Sequence, residues 1–127
     1  MSKYVLDASA VLALLDAETG ADQVAAVLMD SAIGTVNLAE VHTKLAERGQ
    51  SGRQALAEIL SVAEEVLPFT EDLAIITGDL RTSTMHLGLS LGDRACLALG
   101  IALGVPVYTA DSDWAKLQLP CAVRLIR

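Results

Sequence analysis

Four acids, Asp7, Glu40, Asp93 and Asp111, lie where strand and helix patterns meet. Asp7 directly follows the strand signal "KYVL", Lys3 to Leu6, and Asp111 follows "VPVYT". Glu40 falls one turn into the helical pattern after "AIGTV", and Asp93 opens the apolar helical segment that precedes "VPVYT". Taken singly, each has an ordinary reading. An Asp suits a helix N-cap or first turn, "NLAE" has the form of a capping box from Asn37 to Glu40, and Lys44 offers Glu40 a partner four residues on. Gathered together without cations they would repel and raise one another's pKa values. A divalent cation resolves that conflict, and an all-oxygen acidic site suits Mg²⁺ or Mn²⁺, bound singly or in pairs.

Whether the acids gather depends on the elements that carry them. "KYVL" predicts a strand, "DASAVLALLDAE" a helix, and Ala21 to Asp30 a second helix after Gly20. "AIGTV" predicts a strand, followed by a helix with Asn37 as N-cap and Gly49 past its end. "RQALAEILSVAEE" reads as an amphipathic helix, "VLPF" as a strand that Pro68 places at an edge, and Glu71 as the start of a helix reaching about His86. A helix from Asp93 to Leu103 ends at Gly104, the strand "VPVYT" runs into "ADSDW", and "AVRLI" predicts a last strand. Strands alternating with helices, without hairpin signals, imply an α/β fold with a parallel sheet covered on both faces. Right-handed crossovers would bring the segments leaving the strands' carboxyl ends to one edge, where ligands bind. Asp93 joins that edge only if Met85 to Gly92 crosses back over the sheet.

Composition sets the outer bounds. A chain of 127 residues, 53% hydrophobic, fits one domain spanning 1–127 with a substantial core. Only 3% of residues are aromatic, so there is no interleaved aromatic and basic platform for single-stranded nucleic acid. A net charge of −7 argues against a general polyanion binder, although bound cations would supply a local positive field. Cys96 and Cys121 form no CxxC, and His42 and His86 lack zinc-ligand spacing. Unpaired thiols suit a reducing compartment, and Asp7 interrupts the apolar N-terminal run, so the expectation is a cytoplasmic protein with no membrane segment.

The ordered set "VLDASAVLALL", "NLAEV", "LSLGDRACLALG" and "VYTADSDW" resembles the PIN-domain ribonucleases, in particular the VapC toxins of type II toxin–antitoxin systems, over nearly the full length. The resemblance implies a three-layer PIN-like fold with a mostly parallel sheet of about four or five strands. It implies that Asp7, Glu40, Asp93 and Asp111 form the acidic metal site, with Ser9 and Thr109 as supporting hydroxyls and Asp113 as an additional ligand or a turn acid. The implied activity is Mg²⁺- or Mn²⁺-dependent endoribonuclease cleavage by activated water. The implied partners are RNA, a VapB-like antitoxin, a second copy in a homodimer, and DNA only through the antitoxin complex.

Two rivals stand beside this reading. A phosphoacceptor receiver would use Asp7, but "DASA" lacks a second Asp two residues on, and no Lys follows a clear final strand. A PIN-like binding module that no longer cleaves would act only within an antitoxin/DNA repressor complex. Arg94 is expected to pair with Glu40 or Asp111. Lys44, Arg48, Arg81 and Lys116 are surface charges open to RNA, His42 and His86 have structural roles, and Trp114 packs the turn after Asp111.

Overall fold

The computed structural model describes residues 1–127. Five strands, β1 (Tyr4–Leu6), β2 (Ser31–Gly34), β3 (Glu65–Leu67), β4 (Val107–Thr109) and β5 (Val123–Leu125), form one sheet in the order β3-β2-β1-β4-β5. Every pairing is parallel, with Val5 beside Ala32 on one side and Val107 on the other. β3 is an edge strand, as Pro68 predicts.

Seven helices flank the sheet: α1 (Ala8–Leu15), α2 (Ala21–Val27), α3 (Thr35–Glu47), α4 (Gly52–Val62), α5 (Glu71–Asp79), α6 (Arg81–Thr84) and α7 (Leu91–Leu103). The strands' two-residue period divides the core. Leu6, Ile33 and Tyr108 pack with Val11, Val24, Val41 and Ile59 from α1 to α4. Their neighbours Val5, Ala32 and Val107 pack with Leu73 of α5, Cys96 to Leu99 of α7, and Trp114. This is the three-layer arrangement expected, with strands covered on both faces. Trp114 is fully buried as the anchor of the turn Ser112–Lys116, and its indole N–H has no partner. No helix is long and apolar enough to cross a membrane.

Three boundaries differ from expectation. The helix carrying Glu40 starts at Thr35, because Gly34 already has the extended backbone of an N-cap, so Asn37 lies inside the helix. α7 starts at Leu91, capped by Ser90, whose hydroxyl accepts from Asp93 N–H while the Asp93 carboxylate accepts from Ser90 N–H. Asp93 is therefore the third helical residue. "SLGD" carries that signal as an S-x-x-D capping box. The predicted helix from Glu71 to His86 breaks into α5, α6 and a 3₁₀ turn over Met85–Leu87.

α7 is the most deeply embedded of the helices. Ala95 to Gly100 are all buried, and Gly104 in the left-handed conformation ends the helix as expected. Burying a side chain of Leu97's type is worth about 1.5–3 kcal/mol, so the position of α7 is set by the core rather than by its exposed first turn.

Candidate active site

In the order β3-β2-β1-β4-β5 the chain leaves β1 toward one edge and later returns to β4 on β1's other side. The crevice at the carboxyl ends of β1 and β4 is thus the topological switch point, where ligands bind in open α/β sheets. Asp7 and Thr109 meet there. Asp7 N–H donates to Tyr108 C=O at 2.9 Å, extending the ladder by one residue, and places the carboxylate against the end of β4.

Asp7 occupies the N-cap position of α1 but makes no capping bond. Its Oδ2 instead accepts from Ser9 Oγ at 2.6 Å and from Thr109 Oγ1 at 3.0 Å. Each hydroxyl in turn accepts a backbone N–H from the chain leaving β4: Ala110 to Ser9 at 2.9 Å, and Asp111 to Thr109 at 3.1 Å. Because those amides can only donate, they leave each hydroxyl's own proton free for Asp7. The supporting role that resemblance implies for Ser9 and Thr109 thus has a physical form.

Asp7 is 3% exposed, and burial pushes its carboxyl up to about 6. The Ser9 bond lowers it, the Asp93 charge raises it, the Thr109 bond lowers it and the Glu40 charge raises it. Glu40 also lies above its usual value through burial, opposed by a bond from Asn37, reinforced by Asp93 and eased by Lys44. Beneath them, burial and then the charges of Asp7, Asp93 and Glu40 push the fully buried Cys96 thiol well up, so it stays a protonated core side chain. Asp93 thus acts on both Asp7 and Glu40, and Glu40 on Asp7, across the switch point. Asp111 does not act comparably on Asp7 or Glu40. It is exposed, and its carboxylate accepts from Asp113 N–H at 3.0 Å as cap of the following turn.

Asp93 reaches this edge because the start of α7 abuts α3. The buried Asn37 side chain donates to Glu40 Oε1 at 2.8 Å and to Gly92 C=O at 3.1 Å. Gly92 lies so close to the Glu40 carboxyl that a Cβ there would overlap it. Neither Asn37 nor Gly92 is among the residues the sequence pattern singles out for the site. A glycine in a helix's first turn, where propensity disfavours it, is the one hint of a close approach.

Several expected pairings are not made. Arg94 contacts neither Glu40 nor Asp111. It donates from Nη1 to Thr77 C=O at 3.0 Å, because its side of α7 faces α5, and its Nε is buried without a partner. Lys44 pairs with Glu47 at 3.7 Å rather than with Glu40. Asp113 pairs with Lys116 at 2.9 Å, which supports its reading as a turn acid, and Arg48 pairs with Asp16 at 2.6 Å.

None of Asp7, Glu40, Asp93 and Asp111 has an ion-pair partner. A set of hard oxygen donors, of which Asp7 and Glu40 are both raised by burial first and by neighbouring acids further, fits a divalent cation. As the side chains stand, no three Asp, Glu, His or Cys groups converge closely enough to hold an ion. Binding would require Asp93 and Asp111 to turn toward Asp7, whereas Glu40 can offer Oε2 while Oε1 stays held by Asn37.

The sequence from residue 4 to 119 matches the family model described as the PIN domain. The chain belongs to the PIN-domain family. No curated protein sequence matches it. Among solved structures, this PIN domain is similar to VapBC-5 of Mycobacterium tuberculosis, a member of the VapBC family of toxin–antitoxin systems, at 29% identity and a TM-score of 0.64, covering 98% of each chain. VapBC2 of Rickettsia felis, bound to a DNA fragment from its promoter, shares 17% identity with a TM-score of 0.76, covering 96% of this chain and 97% of the other. VapC20 of Mycobacterium tuberculosis, a sarcin-ricin loop cleaving toxin, shares 21% identity with a TM-score of 0.72, covering 89% and 93%. The latter two likenesses establish a common fold.

Proposed function

We propose that this PIN domain is the toxin of a type II toxin–antitoxin pair, a metal-dependent endoribonuclease acting through Asp7, Glu40, Asp93 and Asp111. The observation that carries the reading is the placement of Asp7, Glu40 and Asp93 from three elements along one edge of the switch point, where Asp93 and Glu40 raise the Asp7 carboxyl and none of the three has a protein counterion. Fold neighbours that are toxin–antitoxin complexes, one on promoter DNA and one a cleaving toxin, favour the same reading.

Asp7 would be the fixed ligand of a bound Mg²⁺ or Mn²⁺, with Glu40, Asp93 and Asp111 closing the set. The ion would supply an acidified water at neutral pH and a charge to stabilise the developing phosphorane and leaving oxygen. Ser9 and Thr109 hold the Asp7 carboxylate, and the core packing of α7 fixes where Asp93 starts. An antitoxin of VapB type would inhibit by placing a basic side chain among these acids, and the toxin would act as a homodimer that meets DNA only through that antitoxin.

A second reading, a PIN module that binds an antitoxin without cleaving, draws on the present side-chain arrangement, in which no three acids converge. One experiment separates the two: antitoxin-free protein and its Asp93→Asn variant are incubated with total cellular RNA, with Mg²⁺, with Mn²⁺ and with chelator, and the cut ends are mapped. Discrete metal-dependent cuts lost in a folded variant are expected. Wild-type protein that binds metal and leaves all RNA intact would favour the binding module.

A further inference from the structure

The Asn37 amide touches both acid-bearing helices of the site. Its nitrogen donates to Glu40 Oε1 at 2.8 Å within α3 and to the Gly92 carbonyl at 3.1 Å, one residue before Asp93 in α7. Both neighbours of that nitrogen only accept, so the amide orientation follows from chemistry: a flipped group would set oxygen against oxygen. The side chain is 1% exposed, so water cannot replace these bonds if they are lost. Against the same Glu40 carboxyl, the Gly92 Cα leaves no room for a Cβ. Glu40 is thus held between an amide that donates to it and a glycine that makes space for it.

We propose that Asn37 is a positioning residue of the acid site and that Asn37 and Gly92 act as one latch, which sets the separation of Glu40 and Asp93 and thereby the affinity for a divalent cation. Asn37 is not itself a ligand in this scheme, since its donating nitrogen faces Glu40. The proposal rests on the metal-site reading above. Loss of the amide frees Glu40 and unties the first turn of α7, while a methyl group at residue 92 displaces the same carboxyl. Either change should weaken metal binding by about 10- to 100-fold, the range typical when a ligand's orienting partner is removed. Because both act on one carboxyl, their effects should fall well short of multiplying.

The test is calorimetric titration of the full chain with Mn²⁺ alone, in wild type, Asn37→Ala, Gly92→Ala and the double variant, with Glu40→Gln as reference and folding checked by circular dichroism. Asn37→Ser, whose single hydroxyl proton cannot serve both acceptors, replaces the alanine variant if that one unfolds. Expected are at least 10-fold weaker binding in each single variant and a double variant within about threefold of the weaker single. Wild-type affinity in a folded Asn37 variant, with Glu40→Gln impaired, would overturn the latch and leave the metal site standing. Multiplying effects would reduce Asn37 and Gly92 to separate structural residues. Absence of Mn²⁺ binding in wild type, or full binding in Glu40→Gln, would overturn the metal-site reading itself, and the latch with it.

Discussion

Asp7 and Asp111 flank the same crevice, each directly or nearly following a central strand, yet their surroundings differ in almost every physical respect. Asp7 is buried, extends the β1–β4 ladder through its backbone, and has one oxygen held by two hydroxyls. Asp111 is exposed, two residues past β4, and its carboxylate is bound only to the N–H of Asp113. On the proposed metal-site reading, the difference separates a preset ligand from a recruitable one. The sheet has already met the cost of desolvating Asp7, whereas Asp111 can swing without disturbing the core.

The largest expected effect breaks that contrast at its buried end. The Asp7 carboxyl lies at about 6 in the fold against 3.8 unfolded, so the folded state binds more protons between those values. Its contribution to stability is then full below about pH 4 and is lost as pH rises through about 6. Asp7→Asn should therefore stabilise the metal-free protein at pH 7 by on the order of 2–3 kcal/mol and flatten its stability between pH 4 and 6, as urea unfolding would show. Under the proposed role, a buried acid that weakens its own fold is the usual trade between activity and stability. An unchanged or lowered midpoint at pH 7 would mean that the lost hydroxyl bonds outweigh the relieved charge.

A smaller effect sharpens the role of the hydroxyls. Thr109→Val keeps the branched shape and removes both the proton given to Asp7 and the acceptor of Asp111 N–H. Since the Thr109 bond lowers the Asp7 carboxyl, the variant should shift its titration upward and weaken Mn²⁺ binding by about 10-fold, measured by a pH series of metal titrations. The smallest effect lies at the exposed end. Asp113→Ala removes only a surface pair with Lys116 and should change Mn²⁺ affinity by less than about twofold. A larger loss would make Asp113 a ligand.

How far the sequence discloses this site depends on which interactions set each residue. Asp7 and Asp111 are legible because each follows a β-type run, and the order of strands and helices implies the parallel sheet that aligns them. The Ser9 and Thr109 hydroxyls come from family resemblance, and only the structure shows the backbone N–H groups that direct their protons. Asn37 reads naturally as an N-cap, since Asn favours that position, but the helix begins two residues earlier, which turns a presumed cap into a buried bridge. Arg94 misleads for a related reason. It follows an acid, Asp93, and the sequence suggests Glu40 or Asp111 as its partner, whereas its real partner, the Thr77 carbonyl, is set by the rotation of α7 against α5. Contacts between helices from different crossovers leave no local pattern to read.

The central claim is that a buried, proton-retaining Asp7 anchors a divalent metal at the β1/β4 crevice. Calorimetric titration of wild type and Asp7→Asn with Mn²⁺ at pH 5 and pH 7.5 tests it most directly. Metal must displace the proton that Asp7 holds up to about 6, so wild-type affinity should rise by about 10-fold or more from the lower to the higher pH. Binding should be lost in Asp7→Asn at both. Equal affinity at the two pH values, retained when Asp7 is Asn, would place the metal elsewhere and contradict the account.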